Sequence, residues 1–168
     1  RLDPRSGGLN ALRESDLLAF QIAIETGKPG AVMPGYNLVN GHYASENAFL
    51  LQQVLKDEWG YPGWVMSDWG ATHSTVKAAL AGLDVQSGAN LDDAHYFGQA
   101  LRDAVRDGQV PQSRIDDMVA RILTGLIDVG ALDAAPLDER RQPIDFSQHK
   151  LIAQRQAEEG IVLLANQI

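Results

Sequence analysis

Asp68 is the residue whose type and surroundings point most directly to chemistry. In Ser67-Asp68-Trp69-Gly70 it follows the apolar run Trp64-Val65-Met66, so a carboxylate and an aromatic platform stand together where a buried strand gives way to a loop. In α/β proteins with parallel strands, working residues gather at such C-terminal strand ends, on the loops that lead to the next helix. Two other strand ends offer Tyr36 and Asn37 after Ala31-Val32-Met33, and Asp84 to Ser87 around a third apolar run. A plainer reading of Asp68 or Ser67 is as the cap of the following helix. His42 and His73 lie near the same face without a second histidine or carboxylate at ligand spacing, so loop or surface roles are expected rather than a metal site. Glu14 and Asp16 fit a helix first turn, and Asp92-Asp93 fits a loop or capping pair better than an acid/base couple. There is no G-x-x-x-x-G-K-[ST] phosphate loop and no G-x-S-x-G elbow, and no cofactor is implied. With no cysteine at all, a thiol nucleophile, cysteine-ligated zinc and a disulfide scaffold are excluded together.

The elements that must carry these residues alternate. Leu17, Phe20 and Ile24 recur at helical spacing over 12–25, and Gly27, Pro29 and Gly30 stop that helix. Ala31-Val32-Met33 then reads as a buried strand opening into a loop over 36–45, with Ser45 the expected N-cap of a helix striped by Leu51, Leu55 and Trp59. Trp64 to Ser67 is the second strand, 72–81 a helix, and Gly82 to Gln86 a third strand. Helices are expected near 96–107 and 113–129, the latter with the stripe Ile115, Met118, Val119, Ile122 and Leu126. Continuously apolar strands between amphipathic helices imply a parallel sheet covered by helices, hence an α/β class. Residues 131–146, with Pro136, Pro143 and the run Asp138-Glu139-Arg140-Arg141, have a linker's composition. Beyond it a helix over 147–159 and a strand at Gly160-Ile161-Val162-Leu163-Leu164 are expected.

Composition narrows the partners. The 168 residues are 45% hydrophobic and 21% charged, as in a folded globular chain. Fourteen Lys plus Arg against twenty-two Asp plus Glu give a net charge of -8, a field that repels nucleic acid. No apolar run approaches the ~20 residues that cross a bilayer, so no membrane partner is expected.

Several segments taken together resemble glycoside hydrolase family 3, and its β-glucosidase branch most closely. They are Leu12-Arg13-Glu14, Tyr36-Asn37-Leu38-Val39-Asn40-Gly41, Glu46-Asn47, Glu58-Trp59-Gly60-Tyr61, Val65-Met66-Ser67-Asp68-Trp69 and Ala81-Gly82-Leu83-Asp84. The Y-N-x-V-N-G and V-x-S-D-W motifs are the most specific of these, and the likeness runs over essentially the whole chain. It implies a partial (β/α)8 barrel: residues 1–130 as the C-terminal half of a barrel catalytic domain, 131–146 as an interdomain linker, and 147–168 as the first helix and strand of an α/β sandwich domain.

The resemblance further implies a retaining, exo-acting β-glycosidase that takes a terminal β-linked glucose from oligosaccharides or glycosides. On this reading Asp68 is the catalytic nucleophile, Trp69 stacks on the leaving-group sugar, Tyr36 lies against the nucleophile and the bound glycosyl unit, and Met33 lines that pocket. The partners are then a carbohydrate substrate and the remainder of the barrel and sandwich, with a periplasmic or secreted setting suggested.

Departures from the family pattern qualify the reading. The Lys-His segment and the early Asp and Arg that grip sugar hydroxyls have no counterpart here, and the general acid/base glutamate is expected outside this chain. Gln86-Ser87 stands where many relatives carry an acid and a proline, and Ala165 where a lysine is usual. A β-xylosidase or an N-acetylglucosaminidase of the same family, a catalytically inactive sugar-binding relative, and a purely structural α/β module are the alternatives. The N-acetylglucosaminidase branch usually places an acid rather than tryptophan after the nucleophile.

Overall fold

Helix formation begins with a break rather than a single run. The computed structural model describes residues 8–133 and 144–166, and the chain divides between Ala134 and Ala135 into two units. In the first, α1 spans Gly8–Glu14 and α2 spans Asp16–Gly27, where one helix over 12–25 is expected. Ser15 explains the interruption. Its hydroxyl bonds back to the Ala11 carbonyl at 2.6 Å and to Asp16 Oδ2 at 2.7 Å, and a serine that competes for helix carbonyls in this way bends or breaks the run. The end of α2 is conventional: Lys28 takes the left-handed conformation, its N–H bonds to Ile24 O at 2.9 Å, and Pro29 forbids continuation.

β1 (Ala31–Val32) and β4 (Trp64–Val65) pair in parallel, Ala31 opposite Trp64 and Val32 opposite Val65. The third expected strand, 82–86, is reduced to one parallel bridge between Met66 and Val85. Its ladder is cut short by side chains. The Val65 N–H bonds to Asp84 Oδ2 at 2.8 Å, and the Leu83 carbonyl accepts from Arg114 Nη2 at 2.9 Å, so two groups that would pair across the ladder are already satisfied. The bridge keeps its two bonds at the far end, Val85 N to Val65 O at 3.0 Å and Ser67 N to Val85 O at 2.9 Å. The order is thus β1, β4, then Val85, with Asp68 just past the C-terminal end of the central strand.

The expected loop over 36–45 is instead a hairpin. β2 (Leu38–Val39) and β3 (His42–Tyr43) are antiparallel, and Asn40 and Gly41 both have positive φ, 53° and 87°, as a type I′ turn requires. A 3-10 turn, Ala44–Glu46, leads to the π-helix Phe49–Glu58. Asn47, not Ser45, caps this helix: its Oδ1 accepts from Leu50 N at 3.2 Å while its Nδ2 donates to Val39 O at 3.0 Å. Ser45 is fully buried with its hydroxyl unpaired. The wide pitch shows in bonds that reach five residues. Trp59 N donates to Val54 O, Gln52 reaches Asp57, and Gln53 reaches Glu58.

α3 (Val76–Ala81) starts later than the expected Thr72, because the Ser74 hydroxyl accepts from Ala78 N at 3.3 Å and Thr75 Oγ1 is drawn off to Tyr96 O at 3.0 Å. α4 (Gln99–Arg106) and α5 (Gln112–Asp128) follow. Two clusters form the core: Leu51, Leu55, Tyr61, Val65, Ala78 and Leu83 around β4, and Ala79, Ala104, Val110 and Met118 among the helices. The unit is a mixed α/β structure with parallel strands and helical crossovers.

In the second unit, α6 spans Phe146–Gly160 and is capped by Asp145, whose Oδ1 accepts from Gln148 N at 3.0 Å. The expected strand at Gly160-Ile161-Val162-Leu163-Leu164 is not formed. Gly160 closes α6, the Ile161 N–H bonds back to Ala157 O at 3.0 Å, and Ile161 to Leu164 are exposed and pair with no strand among the described residues; a strand exists only against a neighbour that completes its hydrogen bonds. Most of the linker, residues 134–143, lies outside the described residues.

Candidate active site

β4 ends at a turn that turns Asp68 outward. Asp68 Oδ1 accepts from Trp69 N at 2.7 Å and its carbonyl accepts from Ala71 N at 3.2 Å, so the carboxylate is steadied by its own turn and caps no helix. The residue before it, Ser67, is fully buried and its hydroxyl accepts from Ser87 N at 3.0 Å. The helix-cap alternative is therefore not what these two residues do; Ser74 bonds the first turn of α3 instead.

Tyr36, at the end of the loop from β1, comes to the same edge. Its phenol is held above the ordinary tyrosine pKa, first by hydrogen bonding to the Asp68 carboxylate, then by burial and by the negative charges of Asp68 and Asp92. Since 54% of Tyr36 is exposed, this is a surface contact, and the phenol stays protonated as a donor facing a carboxylate. Trp69 is 62% exposed, so most of its ring is open to a ligand. Asp68, Trp69 and Tyr36 thus occupy one face at the C-terminal ends of parallel strands.

Met33 stands just past the C-terminal end of β1. It is exposed and lines a cavity of about 510 Å³ between α2, β1, the hairpin and the π-helix, which it shares with Phe20, Val32, Leu38 and Leu51. Asp68, Trp69 and Tyr36 do not line that cavity. His73 stacks on Tyr43 with ring centroids 3.8 Å apart. Among the described residues no three His, Asp or Glu side chains converge as a ligand set.

Other carboxylates are engaged. Asp84 is fully buried at the opposite end of the strands, bonded by Lys56 Nζ at 2.8 and 2.9 Å and by Arg114 Nη2 at 2.6 Å. Burial drives the Lys56 pKa down to about 8, against the opposing pull of Asp84 and with help from Arg114 and Arg121. Burial works against the charge on Glu46, but hydrogen bonds from Ser74 and Lys77 hold its carboxyl below the usual range, and Lys77 Nζ stands 2.9 Å away. Glu58 is bidentate with Arg13 on the surface, at 2.5 and 2.8 Å.

The sequence reading missed the loop that frames the site. Gln86 Nε2 donates to Asp92 and, at 2.9 Å, to Ala94 O, while its Oε1 accepts from Phe97 N at 2.8 Å. Its amide thus donates and accepts at once, which a carboxylate at the same position cannot do. Tyr96 donates to Asp93 at 2.7 Å, so the Asp92-Asp93 pair is built into this loop. The departure at Gln86 was the visible signal, but its consequence was not legible without the fold.

Residues 2–125 match the glycosyl hydrolase family 3 N terminal domain. The chain is 40% identical over 155 residues to a beta-glucosidase of Rhizobium radiobacter, with 92% of this chain and 18% of that protein covered. It is 38% identical over 176 residues to the probable beta-glucosidase L of Aspergillus fumigatus, with 95% of this chain and 23% of that protein covered. Among solved structures, the beta-D-glucoside glucohydrolase of Trichoderma reesei aligns with a TM-score of 0.72 and 40% identity over 88% of this chain and 21% of that one. Beta-glucosidase 3B of Thermotoga neapolitana, in complex with glucose, aligns with a TM-score of 0.74 and 34% identity over 93% and 22% respectively. The chain therefore spans less than a quarter of the length of these relatives. The matched segment runs through the strand carrying Asp68, the hairpin after Tyr36 and the loop framed by Gln86, and on this ground the chain belongs to glycosyl hydrolase family 3.

Proposed function

We propose that this chain is a segment of a retaining, exo-acting β-glucosidase in which Asp68 is the nucleophile that attacks the anomeric carbon of a terminal β-linked glucose. The observation that carries the reading is Asp68 itself: a carboxylate just beyond the C-terminal end of the central parallel strand, with the Tyr36 phenol beside it and the open ring of Trp69 next in sequence. In such a mechanism the nucleophile forms a covalent glycosyl-enzyme, which water later cleaves. The Trp69 N–H on Oδ1 and the phenol beside the carboxylate fix its direction of attack. The Trp69 face offers an apolar surface for the leaving-group sugar, and Met33 is assigned to the wall of the glucose pocket.

The described segment is read as part of a (β/α)8 barrel, with residues 131–146 a linker and 147–168 the entrance to a sandwich domain. Retention requires a second carboxyl about 5–5.5 Å from the first. Asp84, Glu46 and Glu58 are each committed to a cation, so the general acid/base is assigned to another part of the enzyme.

The test is replacement of Asp68 by Asn or Gly in the full-length protein. Turnover of an aryl β-glucoside is expected to vanish with the fold retained; a rate near that of the parent would remove the assignment. A catalytically inactive sugar-binding relative would instead bind glucose with no turnover in the parent itself.

A further inference from the structure

We infer that Gly88 is a positioning residue for Trp69, setting the plane in which the indole is presented. The inference rests on the reading of Trp69 as the leaving-group platform. Gly88 has a φ of +62°, a left-handed conformation that a side chain rarely adopts. A Cβ placed there would stand 2.6 Å from Trp69 Cδ1, 2.8 Å from Cγ and 3.2 Å from Cβ. These are the root and pyrrole edge of the side chain rather than a flexible tip, so an added methyl can be relieved only by turning the ring or moving the loop.

The loop is not free to move. Ser87 N bonds to the buried Ser67 hydroxyl at 3.0 Å, and Leu91 N bonds to Gly88 O at 2.7 Å. At Gly70 a Cβ would lie 3.5 Å from the Leu91 carbonyl, so the loop lies closely over the turn after Trp69. Ser67 precedes Asp68 directly, and the strand end that holds the carboxylate therefore also holds the seat of the indole. With one edge resting on Gly88 and 62% of the residue open, the ring is a platform of fixed tilt relative to Asp68.

The experiment is a double-mutant cycle in the full-length enzyme with Gly88→Ala, Trp69→Ala and the pair together, reading KM and kcat on a β-linked glucose disaccharide and on a small aryl β-glucoside. Gly88→Asn is the second variant, because asparagine tolerates a left-handed backbone while carrying the same Cβ. Tilting the ring forfeits an aromatic contact, so Gly88→Ala is expected to raise the disaccharide KM roughly three- to tenfold and the aryl KM less. In the Trp69→Ala background the same change should add less than twofold. Equal losses in both backgrounds would overturn the inference, because backbone strain would then act without the indole. The near-UV circular dichroism difference between each protein and its Trp69→Ala counterpart isolates this ring and needs no turnover. It should change with Gly88→Ala or Gly88→Asn; an unchanged difference spectrum in both would refute the contact. A parent without glycosidase activity but with the expected spectral change would remove the functional reading and leave the Gly88 seat standing.

Discussion

Asp68 and Tyr36 form a donor and acceptor pair at a strand end, and the chemistry assigned to them depends on that pairing. The carboxylate raises the phenol's pKa, so the phenol keeps its proton and stays a donor beside the carboxylate. Tyr36→Phe removes the donor and keeps the ring. A donor to a charged group is lost, so kcat/KM for an aryl β-glucoside should fall roughly tenfold or more. A fall of less than twofold would show that Tyr36 is only a wall of the site. The Asp68-Trp69 pair was legible because S-D-W after an apolar run is a local pattern. Gly88 and Gln86 were not, because their partners Trp69 and Asp92 to Phe97 are reached only once the loop folds back on the strand end.

At the scale of elements, the two ends of the parallel strands are built differently. The end opposite Asp68 is closed by Lys56, Asp84 and Arg114, with Arg121 reaching the Tyr61 carbonyl at 2.6 Å. Lys56 has a folded pKa of about 8 against a model-compound value of 10.5. Between these values the unfolded chain binds more protons than the folded one, so this lysine's contribution to stability rises as pH increases from about 8 to about 10.5. Below that window it is charged in both states and its burial cost is fully present. Lys56→Met should abolish this contribution, measured by urea unfolding at pH 7.5 and 10 beside the parent; an identical pH dependence in the two proteins would contradict the placement of this lysine. Gly63 is a second element-scale constraint. A Cβ there would lie 2.5 Å from Gly30 O and closer still to the Tyr61 hydroxyl, so Gly63→Ala should cost about 1–3 kcal/mol by overpacking, read in the same unfolding experiment. A change within 0.5 kcal/mol, the ordinary scatter of surface substitutions, would show that the turn absorbs the methyl.

The alternation of strand and helix was legible at this scale because apolar runs and stripes are local. The shortened third strand was not, since Asp84 and Arg114 take over its hydrogen bonds from thirty residues apart. The hairpin left its signal in Asn40-Gly41, but strands of two residues are too short for alternation to register.

For the molecule as a whole, the described surface carries much apolar area, including Phe20, Ile22 and Leu38 on one unit and Ile161 to Leu164 on the other. Together with the relatives' four- to fivefold greater length, this supports the reading of the chain as part of a larger enzyme. Expressed alone, the 168 residues should bind a hydrophobic dye and turn over no cellobiose. Steady turnover abolished by a change at Glu46, Glu58 or Asp84 would place the acid within this chain and contradict the division of labour proposed above. The central claim is tested most directly by trapping the covalent intermediate. The full-length enzyme is inactivated with a 2-deoxy-2-fluoro-β-glucoside bearing a dinitrophenyl leaving group, digested, and mapped by mass spectrometry. The account predicts one fluoroglucosyl group, on the carboxylate of Asp68; a label on any other carboxylate, or inactivation that survives Asp68→Asn, would contradict it.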